Sequence, residues 1–94
     1  MASVYVSVGN SDDKLTQKEW HDFTATLHMI MLDCASRIHG MWYSLPNAQY
    51  QNACYCFDVT SDAEQLLKKK LKELAVKWKQ DSIAYMIGET EFIG

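Results

Sequence analysis

Six apolar side chains, Trp20, Phe23, Leu27, Ile30, Cys34 and Ile38, recur every three or four residues through the first half of the chain. Only an α-helix lines such a spacing up on one side, so this stretch must lay a long apolar stripe against another element. Met31 and Ala35 widen the stripe, Thr16 with Glu19 forms a capping box ahead of it, and Gly40 follows it as a stop. The pattern predicts a helix over 17–39. A second stripe, Leu67, Leu71, Leu74 and Trp78, predicts a helix over 62–79, opened at Ser61 or Asp62, with Ser61 and Glu64 repeating the capping pattern.

Around these helices the period drops to two. Val4, Val6 and Val8 alternate with Ser3, Tyr5 and Ser7. Ala53, Tyr55, Phe57 and Val59 alternate with Asn52, Cys54, Cys56 and Asp58, and Ile83, Tyr85 and Ile87 with Ala84 and Met86. Each run reads as a strand with one buried face. Residues 41–45 form a short aromatic strand that Pro46 and Asn47 end, close enough to 51–59 to pair with it as an antiparallel hairpin. The order strand, helix, strand, strand, helix, strand predicts an α+β fold of two layers. This is the split βαβ, or ferredoxin-like, arrangement: a four-stranded antiparallel sheet with two helices on one face. The alternative is a two-layer sandwich with a different strand order. With 94 residues and no linker, repeat or low-complexity segment, the chain reads as one domain, 1–94.

Charge and cysteine content narrow the classes of function. Net charge is −3, yet the segment 68–79 sets six lysines against Glu73 alone. The chain as a whole is not a basic nucleic-acid binder, although its second helix offers one cationic side. No run approaches the roughly 20 apolar residues of a membrane span. The first residues have neither the basic nor the apolar region of a signal peptide. The expectation is a cytoplasmic protein that meets no membrane. Cys34, Cys54 and Cys56 are an odd set and a poor disulfide framework, and read as reduced thiols.

Most side chains able to do chemistry have a plainer account. His21 and His28 lie seven apart on one side of the first helix, and His39 falls in its expected last turn, with no H-E-x-x-H spacing. Cys54 and Cys56 supply two thiols where a closed zinc site needs four ligands, so no metal and no cofactor is expected, and the pair reads as small filler on the less buried side of the sheet. The lysines of 68–79 read as the wet side of an amphipathic helix. An RNA-binding module of this topology needs aromatics and cations on the outer side of its middle strands. This chain shows Asn52, two cysteines and Asp58 there, so nucleic acid is the weaker alternative.

The segment 42–52 is harder to explain by packing alone, because it holds three aromatic and four amide side chains. Aromatic faces with amides beside them suit a flat polar ligand, such as a nucleotide-like molecule, or a partner's backbone. The expected binding residues are Trp42, Tyr43, Asn47, Tyr50 and Asn52, and none is assigned as catalytic. A non-enzymatic binding module is therefore the first reading. A small-substrate enzyme with a pocket under the 46–52 loop is the alternative, with Asp58, Asp81 or His39 as its acid or base. Tyr5, Cys54, Cys56 and Met86 should share the open side of the sheet, which is too apolar to stay wholly wet and predicts a homodimer through an isologous contact.

Three strings, Ser7-Val8-Gly9-Asn10-Ser11-Asp12-Asp13-Lys14-Leu15, Gln51-Asn52-Ala53-Cys54 and Gln80-Asp81-Ser82-Ile83-Ala84, resemble those of small uncharacterised bacteriophage accessory proteins. The resemblance implies a viral accessory role, in which a short single-domain protein binds a host protein or sequesters a small molecule.

Overall fold

The computed structural model describes residues 2–10, 15–45, 51–80, 83–89, 91 and 93–94. At the start of α1 (Gln17–Cys34) the capping box is formed in both directions. The Glu19 N–H donates to Thr16 Oγ1 at 3.2 Å, and the Thr16 N–H donates to Glu19 Oε1 at 2.9 Å. Those bonds to Thr16 hold the Glu19 carboxyl below its ordinary range.

Helix α1 ends well before residue 39. Ala35 turns the backbone to an extended conformation with ψ 134°. The Ser36 N–H then donates to the Asp58 carbonyl at 2.8 Å. From there β2 (Arg37–Tyr43) pairs with β3 (Asn52–Val59). Ile38, His39 and Gly40 are thus strand residues, and His39 is not at a helix end. The step of four from Cys34 to Ile38 fits a helix, but Ile38 meets its apolar demand equally well beside Phe57. The β-branched and aromatic side chains of 37–43 also favour a pleated surface.

The second helix, α2 (Ser61–Lys77), starts one residue from where its pattern suggested. Thr60 is the cap, with Oγ1 accepting from the Ala63 N–H at 3.2 Å. Glu64 does not complete a box: its carboxylate accepts from the Tyr85 hydroxyl and pairs with Lys68, both at 3.2 Å. At the other end Lys79 adopts φ 55°, and the Gln80 N–H reaches the Ala75 carbonyl while the Lys79 N–H reaches that of Val76. This is a Schellman closure with lysine where glycine is easiest.

All strand pairs are antiparallel, and the sheet order is β2-β3-β1-β4, with β1 spanning Ala2–Gly9 and β4 spanning Ala84–Gly88. Together with the element order this is the ferredoxin-like α+β arrangement. Val4, Val6, Tyr55, Phe57 and Val59 meet Phe23, Leu27, Met31, Leu67, Leu71 and Leu74 in a single core, and each is nearly or fully buried. Full burial of side chains of this size stabilises by about 1.5–3 kcal/mol each. Phe23 sits in the middle, its ring centroid 6.0 Å from both Trp20 and Trp78. Among the described residues no helix is long and apolar enough to cross a membrane.

Candidate functional site

The alternation of β2 decides where the expected binding residues go. Trp42 pairs with Cys54 and Tyr43 with Ala53, so the two adjacent aromatics face opposite sides of the sheet. Trp42 stands on the open side, more than half exposed. Tyr43 turns toward α1 and sets its ring edge-on to buried Tyr55, at 5.7 Å and 86°. Asn52 is exposed at the start of β3, where its N–H donates to Ser44 Oγ at 3.0 Å and its carbonyl accepts from the Ser44 N–H at 2.9 Å. Asn47 and Tyr50, like Asp81, lie outside the described residues. What reads along the chain as one cluster is therefore two surfaces, with Tyr43 on one and Trp42 on the other.

On the helix side, Tyr43 forms one wall of a cleft of about 460 Å³ between α1 and the hairpin. His21, Thr24, Ala25 and His28 form the opposite wall, one helical turn above another, because positions 21, 24, 25 and 28 share a face of α1. Trp20, Ser44, Gln17 and Gln51 complete it. At its end two side-chain amides meet: Gln51 Nε2 donates to Gln17 Oε1 at 2.8 Å, and Gln17 Nε2 donates back to Gln51 Oε1 at 3.2 Å.

That amide pair is anchored from below by Asn10, which is only 1% exposed. Asn10 Nδ2 donates to Gln51 Oε1 at 3.2 Å and to the Leu15 carbonyl at 2.9 Å. Its Oδ1 accepts from the Leu15 N–H at 3.0 Å, and its backbone N–H donates to the Gln51 carbonyl at 2.8 Å. Each glutamine amide carries two N–H donors and uses one in this pair, which leaves the second available to a ligand. Neither Asn10 nor Gln17 stands out in the sequence. Asn10 reads as a turn residue and Gln17 as helix surface, and only the fold, which joins the start of β3 to the start of α1, brings them together.

A second polar cluster sits on the open side of the sheet. His39 occupies a β-bulge, since Ile38 pairs with Phe57 and Gly40 with Cys56. Its Nε2 lies 2.9 Å from Asp58 Oδ1, and Ser3 Oγ donates to the same oxygen at 2.7 Å. The Ser3 hydroxyl, then His39, push the Asp58 carboxyl below its ordinary range, with Arg37 adding to the effect. Serine, histidine and aspartate are all present, but the aspartate stands in the middle. A nucleophile relay needs histidine between the other two, so this arrangement stabilises a carboxylate and does not activate the serine.

Beside this cluster the three thiols divide by environment. Cys34 is buried in the core, where desolvation raises its pKa, while Cys54 and Cys56 are half-buried on the open face. The Cys56 thiol, next to Tyr5, raises the pKa of that phenol. Among the described residues no three histidine, cysteine or acidic side chains converge as a metal-holding group. No known protein-family model matches the chain, and no curated protein is similar to it.

Proposed function

We propose that this protein is a cytoplasmic, non-enzymatic binding module that takes a small planar polar ligand, of nucleobase or nucleoside type, in the cleft between α1 and the β2–β3 hairpin. One observation carries the reading. The rigid Gln17–Gln51 amide edge lies in the same cleft as the Tyr43 ring and the imidazoles of His21 and His28. Aromatic and imidazole faces stack on a flat ring, while a fixed amide edge hydrogen-bonds its polar rim. Among the described residues that line the cleft there is no carboxylate, and the His39–Asp58 pair is on the other side of the sheet. Sequestering such a ligand is one of the two roles implied by the resemblance to bacteriophage accessory proteins, and the reading takes its viral setting from that resemblance alone.

Calorimetric titration with the common nucleobases and nucleosides tests this reading. At least one should bind, and His28→Ala or Tyr43→Ala should weaken it by about 1–2 kcal/mol, as loss of an aromatic anchor does. Reversing charge on α2 with Lys69→Glu and Lys72→Glu should change affinity little, and mainly at low salt. If the lysine reversal abolishes binding while the cleft variants bind normally, the site is not the cleft.

A further inference from the structure

The open face of the sheet presents large and small side chains in a pattern that matches itself. Strand register arranges this face in rows across β2, β3, β1 and β4. One row reads Trp42, Cys54, Ser7, Ala84, and the next reads Gly40, Cys56, Tyr5, Met86. Bulk therefore sits at the β2 end of the first row and at the β1–β4 end of the second. Trp42, Tyr5 and Met86 are 56%, 44% and 67% exposed, and no charged residue stands in either row.

We infer that a second copy of this chain covers the face, sheet against sheet, about a two-fold axis lying in the plane between them. Such an axis runs either across the strands or along them, and both choices place large on small. Across the strands, Trp42 lies over the partner subunit's Gly40, Tyr5 over the partner subunit's Ser7 and Met86 over the partner subunit's Ala84. Along the strands, Trp42 lies over the partner subunit's Ala84, Tyr5 over the partner subunit's Cys56 and Met86 over the partner subunit's Gly40. Gly40 and Ala84 are thus receptacles for a large side chain in either case. Any apolar partner could cover exposed Trp42 and Met86, but matching bulk to hollow across its own symmetry axis is a property that only a second copy uses.

Charge agrees with this occupant. Among the described residues Asp58 lies in the next row with Arg37 and Ser3, and Glu89 and Glu91 stand past the end of β4, beside Ser3, Tyr5 and Met86. Across the strands Asp58 comes opposite the partner subunit's Asn52, and along the strands opposite the partner subunit's Ser3, so Asp58 meets no like charge. Size agrees as well. Four strands about 4.8 Å apart and some six residues long cover roughly 400 Å² in plan. The relief of three protruding side chains adds to this, which brings the face to about the lower limit of roughly 500 Å² per partner for a biological interface and so to a dimer of modest affinity. The inference is independent of the ligand cleft, which lies on the helix side.

Sedimentation analysis or native mass spectrometry of the whole chain, at tens of micromolar, should show twice the 10.8 kDa chain mass. An added Cβ at Gly40 meets nothing within 4 Å in the single chain, so Gly40→Leu should fold normally by circular dichroism. It should nonetheless weaken the dimer at least tenfold, and Ala84→Leu should do the same. Removing the opposing bulk should restore pairing. Gly40→Leu is rescued by Trp42→Ala if the axis crosses the strands, and by Met86→Ala if it runs along them. A wild-type chain that stays monomeric overturns the inference, whether or not another protein can be shown to cover the face. So does a dimer indifferent to both leucine variants, or a folded, monomeric Gly40→Leu that neither second change rescues.

Discussion

The two sides of strand β3 differ more than any two regions of comparable length. Ala53, Tyr55, Phe57 and Val59 are each no more than 1% exposed, under the helices. Cys54, Cys56 and Asp58, their immediate neighbours, are only half-buried on the side that none of the described helices or strands covers. One backbone and one ladder support both sets, so the difference is due entirely to what lies above each face. On the covered side size and shape govern: the Tyr55 hydroxyl finds a single partner, donating to the Thr24 carbonyl at 3.2 Å, and burial drives its pKa upward. On the open side polarity and relief govern, and Trp42, Tyr5 and Met86 stand exposed.

The largest test of that contrast uses adjacent positions. Phe57→Ala should cost about 3–5 kcal/mol of stability through the cavity it leaves, whereas Cys56→Ala should cost less than about 1 kcal/mol. Urea denaturation in the Gly40→Leu background measures both without the stabilisation that association adds. Similar losses at the two sites would mean that the sheet faces are not as distinct as their burial suggests.

Next in size is Asn10→Ala, which removes the side chain joining Leu15 to Gln51 beneath the cleft, takes away the side-chain partner of the Leu15 N–H and carbonyl, and leaves Gln51 Oε1 with Gln17 alone. A loss of about 1–3 kcal/mol is expected, together with weaker ligand binding even though Asn10 does not line the cleft. Unchanged ligand affinity in a folded Asn10→Ala variant would show that the amide edge does not depend on its anchor. On neither face of the sheet, Lys79→Gly serves as a control. Relieving a left-handed lysine at the end of α2 should raise stability by about 0.5–1 kcal/mol.

The smallest effect is confined to acid. The folded-state pKa of Asp58 lies below its unfolded value, so the unfolded chain takes up that proton first as pH falls. The contribution is complete above the unfolded carboxylate pKa of about 3.9 and disappears as pH falls through the lower folded value. Asp58→Asn should flatten this part of the stability curve below about pH 5. An identical acid slope for the variant would show that Ser3 and His39 do not favour the charged carboxylate.

Local signals were enough for much of this molecule. Periods of two and 3.6 gave the type and order of both helices and of β1, β3 and β4, aromatic content alone gave β2, placed at 41–45 where it spans Arg37–Tyr43, and the Thr16 box placed the start of α1, because strand alternation and helix capping involve residues close in sequence. The same signals set Val4, Val6, Phe57, Leu27 and Leu71 on buried faces, and Tyr5, Cys54, Cys56 and Met86 on the opposite one. Where α1 stops was not legible. Ile38 satisfies a helical spacing and a strand pairing equally well, and only the hydrogen bond from Ser36 to Asp58, across 22 positions of sequence, selects the strand.

The candidate site was legible only as composition. Aromatics and amides crowd into 42–52, but the bulge at His39 fixes which of Trp42 and Tyr43 faces α1, and a bulge leaves no periodic trace. Gln17, Gln51 and Asn10 meet because the start of β3 closes against the start of α1, and His39 meets Asp58 because β2 lies along β3. The chain alone determines which residues are apolar and at what period, since both are properties of neighbours in sequence. Tertiary structure decides which polar residues become partners, because a hydrogen bond depends on distance and direction in space, and those are set only once the strands have paired.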